Sequence, residues 1–214
     1  GGQTCEIVIE VKGTDVPQYG YGPNFIDVDG NVYKSVYIGH QLWQAENLRT
    51  TKFNDGTPIQ EIEGQSDWFK NFSLNTTSPM MSVYNTDHTL VNKNGLLYNW
   101  YVVDSTINGA RNVCPQGWHV PTDQEWSVLE DYLGGREYAG GKLKEEGTNN
   151  WVIPNNSASN STLFSALPSG YRLYNGNYSY IGNYGFYWTS TENGNSHAYF
   201  RYLYNENALS LIHI

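Results

Sequence analysis

The sequence predicts an α+β fold made of small twisted antiparallel sheets, two short helices and long loops. Three observations predict it. The chain opens on a period-two alternation, with Ile7, Ile9 and Val11 set between Glu6, Val8, Glu10 and Lys12, the pattern of a strand with one wet face. A single stretch near 122–133 carries a complete helix signature. Everything after Trp151 is cut into short segments by Gly and Asn, which punctuate strands and turns. Strands, then central helices, then more strands is an α+β order rather than a repeated βαβ one.

Taken in order, residues 13–23 are dense in Gly, Pro and Tyr and read as a linker. A boundary is therefore placed near residue 23. Residues 1–23 form an N-terminal strand and linker, either the end of a preceding domain or an added edge strand, and residues 24–214 form the main domain. Apolar runs flank Asp29-Gly30 between Asn24 and Tyr33, which predicts a hairpin with a tight type I′ turn. Leu42 and Trp43 mark a core strand. Residues 50–94 are polar and read as one long loop containing Trp68, and a loop of that length is usually functional. The run from Gly95 to Val103 is apolar on every face, so it is buried, with helix and strand both open. Thr122-Asp-Gln-Glu125 then forms a capping box after Pro121,. Trp126, Leu129 and Leu133 follow at helical spacing, and Gly134-Gly135 stops the helix. A second short helix is expected over 138–146.

Composition removes several classes. Aromatic and charged residues each make up 15%, and the net charge is −9. Average domains carry about 25% charged residues. The aromatic content excludes a disordered chain, and no apolar run is long enough to span a membrane. Only 12 Lys and Arg are present, scattered along the chain, so neither a nucleic-acid binder nor a basic membrane-surface helix is expected. Cys5 and Cys114 can form one disulfide, but spacing does not show that they meet. No basic segment followed by an apolar one opens the chain, and a leader is taken to have been removed.

Each chemical motif competes with a plainer reading. Asp27-Val-Asp29-Gly30-Asn31 resembles the start of a calcium loop, but position 12 is Ile38 rather than an acid,, so a hairpin turn is favoured. None of the five histidines shares the spacing of a helical zinc site,. Cys114 and His119 are separated by Pro115 and Gly117, which suits a chain turn better than a nucleophile–base pair. No Gly-x-Ser-x-Gly, P-loop or dinucleotide motif occurs. Pro154-Asn155 is similar to the Pro-Asn pair of calcium-dependent lectin loops, with Ile153 where those loops carry an acid. No metal ligand and no cofactor is assigned; calcium is the one ion left open. The segment 171–188 is filled with Tyr, Asn, Gly and Ser, the residue types of antibody-like binding surfaces. Tyrosine offers a rigid amphipathic face that also stacks on sugar rings.

Asp27-Val-Asp-Gly-Asn-Val-Tyr-Lys34, Ile38-Gly-His-Gln-Leu-Trp-Gln-Ala-Glu-Asn-Leu48, Gly95-Leu-Leu-Tyr-Asn-Trp100, Cys114-Pro-Gln-Gly-Trp-His-Val-Pro-Thr-Asp-Gln-Glu-Trp126, Gly141-Lys-Leu-Lys144, Phe164-Ser-Ala-Leu-Pro-Ser-Gly-Tyr-Arg172 and Tyr187-Trp-Thr-Ser-Thr-Glu192 follow one another in the chain. Over about residues 24–203 this succession resembles the Fibrobacter succinogenes major paralogous domain family. The resemblance implies an exported, often surface-attached protein of Bacteroidetes and related bacteria. Its Val120-Pro-Thr-x-x-Glu-Trp126 block is similar to that of formylglycine-generating enzymes, which implies a C-type-lectin-like fold with binding carried by long loops. The cysteine pair those oxidases need near the C-terminus is absent here, so their activity is not implied. The family's usual final Gly-x-Ser-Val-Arg-Cys-like strand is replaced by Ala208–Ile214.

The expected function is therefore binding rather than catalysis. The module would be extracellular or held at the outer-membrane surface, and would recognise a glycan or surface protein through Tyr/Asn-rich loops. The candidate ligand-binding residues are Trp68, Tyr174, Asn177, Tyr178, Tyr180, Tyr184, Tyr202 and Tyr204. Trp100, Trp118, Trp126 and Trp188 lie within the quoted blocks and are expected in the core. The Asn, Tyr and Ser bias at 174–207, including Asn193, Asn195, Ser196, His197, Tyr199, Asn205 and Asn207, is similar to that of binding proteins diversified by retroelements. The alternative is a structural or tip subunit of a surface fibre or adhesin, for which the first strand supplies an edge open to pairing. A hydrolase is the least favoured reading.

Overall fold

The computed structural model describes residues 5–8, 19–73, 77–194, 198–208 and 210–213. The chain begins with β1 (Glu6–Val8), β2 (Tyr19–Tyr21), the hairpin β3 (Phe25–Ile26) and β4 (Val32–Tyr33), then β5 (Ser35–Ile38) and β6 (Gln41–Gln44). Next come β7 (Gln60–Glu61), α1 (Gln65–Ser73), β8 (Met80–Ser82), two 3₁₀ turns at Tyr84–Thr86 and His88–Leu90, α2 (Val91–Asn94), β9 (Leu97–Tyr98) and α3 (Trp100–Val103). Helices α4 (Asp123–Tyr132) and α5 (Arg136–Leu143) precede β10 (Ser169–Arg172), β11 (Tyr178–Ile181), β12 (Tyr184–Glu192), β13 (Ala198–Tyr204) and β14 (Ser210–His213). The α+β expectation holds. Among the described residues, the small sheets are antiparallel apart from one parallel strand pair, β7 with β8.

The sheet β1-β6-β5-β2 sits between two apolar clusters. Alternation along β6 sends Leu42 into one and Trp43 into the other, as the strand period requires. The first cluster holds Tyr33, Leu48, Phe53, Tyr98, Val102 and Trp118; the second holds Trp43, Trp126, Leu129, Trp151, Phe164 and Tyr187. Both strands described within residues 1–23 belong to this sheet. Cys5 and Cys114, both fully buried, form a disulfide that ties β1 to the chain just before α4. Residues 9–18, holding the rest of the expected first strand and half of the linker, lie outside the described residues.

The hairpin at 24–33 forms, but its turn is not a two-residue one. Ile26 pairs with Val32, which leaves a five-residue loop organised by the Asp27 carboxylate. Asp27 accepts from the backbone of Asp29 and Asn31, from the Asn31 amide and from the Tyr33 hydroxyl. Asp29 in turn takes Lys52, Thr50 and the Thr51 backbone. The Asp27 and Asp29 carboxylates that resembled calcium ligands are thus engaged by protein donors.

The long loop expected over 50–94 is corrected: it contains a two-strand pairing, the nine-residue α1 and the short α2. Its polar composition hid α1 because, among its described side chains, only Trp68 is buried. The all-apolar stretch at 95–103 divides into strand β9 and one turn of helix, α3. Helix α4 is capped as expected, with Thr122 Oγ1 accepting from the Glu125 N–H and the Glu125 carboxylate accepting from the Thr122 N–H. The following helix runs over 136–143 rather than 138–146. The last strand, β14, pairs with β13 through Phe200↔His213 to Leu203↔Ser210.

Candidate functional site

Strands β12 and β13 form an antiparallel ribbon whose two faces differ. Tyr187, Thr189, Arg201 and Leu203 point inward and are buried. The outward positions are aromatic on both strands: Tyr184, Phe186 and Trp188 face Tyr204, Tyr202 and Phe200 in direct register. Cross-strand aromatic pairs of this kind reinforce a sheet. Tyr184 stacks on Tyr204 with centroids 4.3 Å apart and planes 12° apart. Trp188 meets Phe200 edge-on at 5.8 Å, and Trp100 extends the row from the Trp188 side at 5.6 Å. Trp188 is fixed by its indole N–H, which donates to the Tyr98 carbonyl at 2.9 Å.

Two further rings arrive from the neighbouring hairpin. Tyr171 on β10 packs edge-on against Phe186 at 4.9 Å and stacks on Tyr180 at 5.7 Å. Tyr180 also meets Tyr184 edge-on at 5.2 Å. Tyr180 holds φ at 63°, a left-handed backbone that a bulky side chain rarely adopts. The continuous pairing Ser169↔Ile181 and Tyr171↔Ser179 sets Tyr180 opposite Gly170, and the residue remains 52% exposed. A shallow hollow of about 340 Å³ opens among Tyr171, Phe186, Trp188 and Phe200. Desolvation raises the Tyr202 phenol above its ordinary value, helped by Tyr184. Tyr204 is pushed up to about 12 by desolvation and by its bond to Glu206. These hydroxyls therefore stay protonated at neutral pH, able to donate and accept.

The candidates named from sequence divide into two groups. Tyr180, Tyr184, Tyr202 and Tyr204 are brought together on this surface. They lie on strands, so their expected placement in loops is corrected: alternation between packed and outward positions fixes them. Trp68 and Tyr178 flank the buried Arg172 guanidinium instead, with ring centroids 4.3 and 4.7 Å from it. Trp68 is 8% exposed on α1 beside Ile62 and Met80, so it anchors α1 and does not stand in an open loop. Asn177 lies on the turn between β10 and β11, with its side-chain oxygen accepting from Gln65 of α1 at 2.7 Å. Tyr174 is on the same turn and 59% exposed. Tyr171, Phe186, Trp188 and Phe200 were not singled out as ligand residues. The signal was present in the alternate spacing of 184, 186 and 188 and of 200, 202 and 204,. Of the residues with diversification-like composition, Asn205 is buried and donates to the Val152 carbonyl, Asn193, Tyr199 and Asn207 are half-buried, and Asn195, Ser196 and His197 lie outside the described residues.

The Pro154-Asn155 loop has its own internal cation. The Ile153–Pro154 peptide is cis. Lys144, fully buried, donates to the carbonyls of Asn156, Tyr204 and Asn207 at 2.8–3.0 Å. The Asn155 amide donates to the Glu145 and Gly147 carbonyls. The strongly lowered carboxylates are also structurally engaged. Asp29 and Glu125 each sit at about 2 despite desolvation, Asp29 through Lys52 and Thr51, and Glu125 through His119 and the Thr122 cap. A separate recess of about 250 Å³ mixes Lys34 and Lys93 with Glu46 and Glu145, so it favours no ligand of one charge.

No curated protein and no solved structure matches the chain. The Fibrobacter succinogenes major domain matches residues 36–210, from the second residue of β5 to the first of β14. The match spans α4, most of both apolar clusters and the whole aromatic ribbon, and the chain belongs to the Fibrobacter succinogenes major domain family.

Proposed function

We propose that this domain is a ligand-binding module, secreted or displayed at a bacterial cell surface, that takes a glycan or a surface protein on the aromatic face of β12 and β13. The supporting observation is Tyr180, a half-exposed aromatic held in a left-handed backbone so that its ring joins the row. Strain of that kind concentrates where a side chain must be presented. A file of partly exposed rings tipped with neutral hydroxyls suits stacking on sugar rings or embracing a protein loop. The scaffold is proposed to be C-type-lectin-like, with binding moved from loops to a sheet face. The Cys5–Cys114 disulfide is in keeping with an oxidising, exported location.

The test is a screen of glycans and surface proteins against the isolated protein, repeated with Tyr184→Ala and Tyr202→Ala. Saturable binding that both variants weaken at least about tenfold is expected, as for central aromatic anchors. Binding that both variants leave untouched would overturn the reading.

The fibre-subunit alternative rests on β1, an edge strand paired only with β6 among the described residues. Removing residues 1–22 separates the two: loss of assembly with ligand binding intact would favour the fibre subunit.

A further inference from the structure

A second cluster of side chains lies away from the aromatic face. Strand β7 runs parallel to β8, and the Ile62 N–H continues the pairing by donating to the Met81 carbonyl at 2.9 Å. Ile62 turns inward, where it packs with Trp68 and Met80. Its neighbours Glu61 and Glu63 consequently emerge on the same outer side, as positions i and i+2 of extended chain must. Arg172 holds this backbone from beneath by donating to the carbonyls of Ile62, Glu63 and Gly64. From the other side, the 3₁₀ turn after Asp87 brings His88 over the pair. Its Nε2 lies 3.8 Å from Glu61 Oε1 and 3.7 Å from Glu63 Oε1. The three ligand atoms all lie within 4.8 Å of one another.

We propose that Glu61, Glu63 and His88 bind a divalent cation of the zinc class. Around tetrahedral zinc, with bonds of about 2.0–2.2 Å, donors stand roughly 3.3 Å apart. The two histidine–glutamate separations need to close by only about half an ångström to reach that geometry. All three side chains are at the surface, so rotamer adjustment achieves this without disturbing Ile62 or the pairing of β7. Two carboxylates on one side of a short strand repel, and a cation between them relieves that repulsion. An imidazole nitrogen in the set selects zinc and similar metals over calcium and magnesium, which prefer oxygen alone. Three protein donors leave one coordination position open. Glu63 also lines a cleft with Gln65, Asn85, Asn177 and Ser179, whose amides and hydroxyl suit a polar group completing the shell.

Calorimetric titration of the whole protein with zinc, with calcium and magnesium as competitors, tests the site. One saturable equivalent of zinc is expected, undiminished by equimolar calcium. His88→Ala and Glu63→Gln should each weaken it at least about tenfold, while His40→Ala, a surface imidazole elsewhere, leaves it unchanged. Thermal melts of the metal-free variants should match wild type, because the side chains removed are exposed. Zinc binding equally well to His88→Ala, displacement by equimolar calcium, or no saturable binding by wild type overturns the proposal.

Discussion

Arg201 of β13 and Glu130 of α4 meet where neither is exposed, with Arg201 Nε donating to Glu130 Oε1 at 2.9 Å. Arg201 also reaches the Asp123 carboxylate, and Arg136 approaches Glu130 from the far side at 3.0 Å. This network joins the capped helix to the inner face of the ribbon whose outer face is aromatic. Replacing Arg201 by Met leaves Glu130 buried with one partner fewer. Loss of one member of a buried pair costs about 3–5 kcal/mol, and because Arg136 remains, the lower end is expected. Urea unfolding measures it. The double variant R201M/E130Q should recover at least half of the loss, and failure to recover would mean that packing of Arg201, not charge, holds the helix.

The disulfide closes a segment of 109 residues. Removing such a link releases unfolded-chain entropy worth roughly 3–5 kcal/mol. C5S/C114S should unfold at a lower urea concentration by that margin, as should wild type with reductant. An unchanged midpoint would mean that β1 contributes its strand pairing without the covalent tie.

Glu125 gives an acid dependence of known sign. Desolvation raises its carboxyl, but the His119 and Thr122 hydrogen bonds outweigh burial and lower it to about 2 from the ordinary 4.5. A lowered carboxylate stabilises the fold above the unfolded value and loses that contribution as pH falls through the folded value. Glu125→Gln should cost about 1–2 kcal/mol at pH 7, the range of a capping interaction after solvent screening. The difference from wild type should shrink below about pH 4.5 and disappear near pH 2 in chemical denaturation curves. A difference independent of pH would assign the loss to helix propensity.

Lys144 makes three bonds to backbone carbonyls, and burial lowers its ammonium to about 8. Lys144→Met keeps the volume and strips all three acceptors of their donor. Unsatisfied buried acceptors cost about 1–3 kcal/mol each, partly recovered by water, so about 3 kcal/mol is expected from thermal or urea unfolding. A loss under 1 kcal/mol, less than the low end for one acceptor, would show that water replaces the ammonium freely.

Tyr180 separates stability from binding. Tyr180→Asn suits the left-handed backbone better, since Asn tolerates it. The melting temperature should hold or rise slightly while ligand affinity falls at least about tenfold, as for an aromatic anchor. A large drop in stability would mean that the ring holds the β10–β11 hairpin together.

Local patterns carried the elements closed by local rules. The Thr122–Glu125 box and Gly134 delimited α4 because caps act within four residues, and Asp29-Gly30 located a hairpin for the same reason. The five-residue loop there escaped notice because the Asp27 side chain, four residues from Asn31, replaces the expected turn. Helix α1 was hidden in polar sequence because its packing comes from distant Arg172 and Met80. The candidate surface was half visible. Tyrosines after residue 170 were legible as a population. Their division between ring stack and guanidinium cage depends on strand register, which a list of residue types does not contain. The pairing of Glu61 and Glu63 with His88 was invisible for a related reason: two segments 25 residues apart meet only once β7 has paired with β8.

The β12–β13 ribbon keeps two separate accounts of its residues. The inner file, Tyr187, Thr189, Arg201 and Leu203, is tied to the helix and the core, and change there is felt by the whole fold. In the outer file, Trp188 is tied to the first apolar cluster and to the Tyr98 carbonyl, whereas Tyr184, Tyr202 and Tyr204 pack on neighbouring rings. Exchanging those tyrosines one at a time would therefore leave the scaffold intact. Change on one side of the sheet is uncoupled from the fold that the other side maintains.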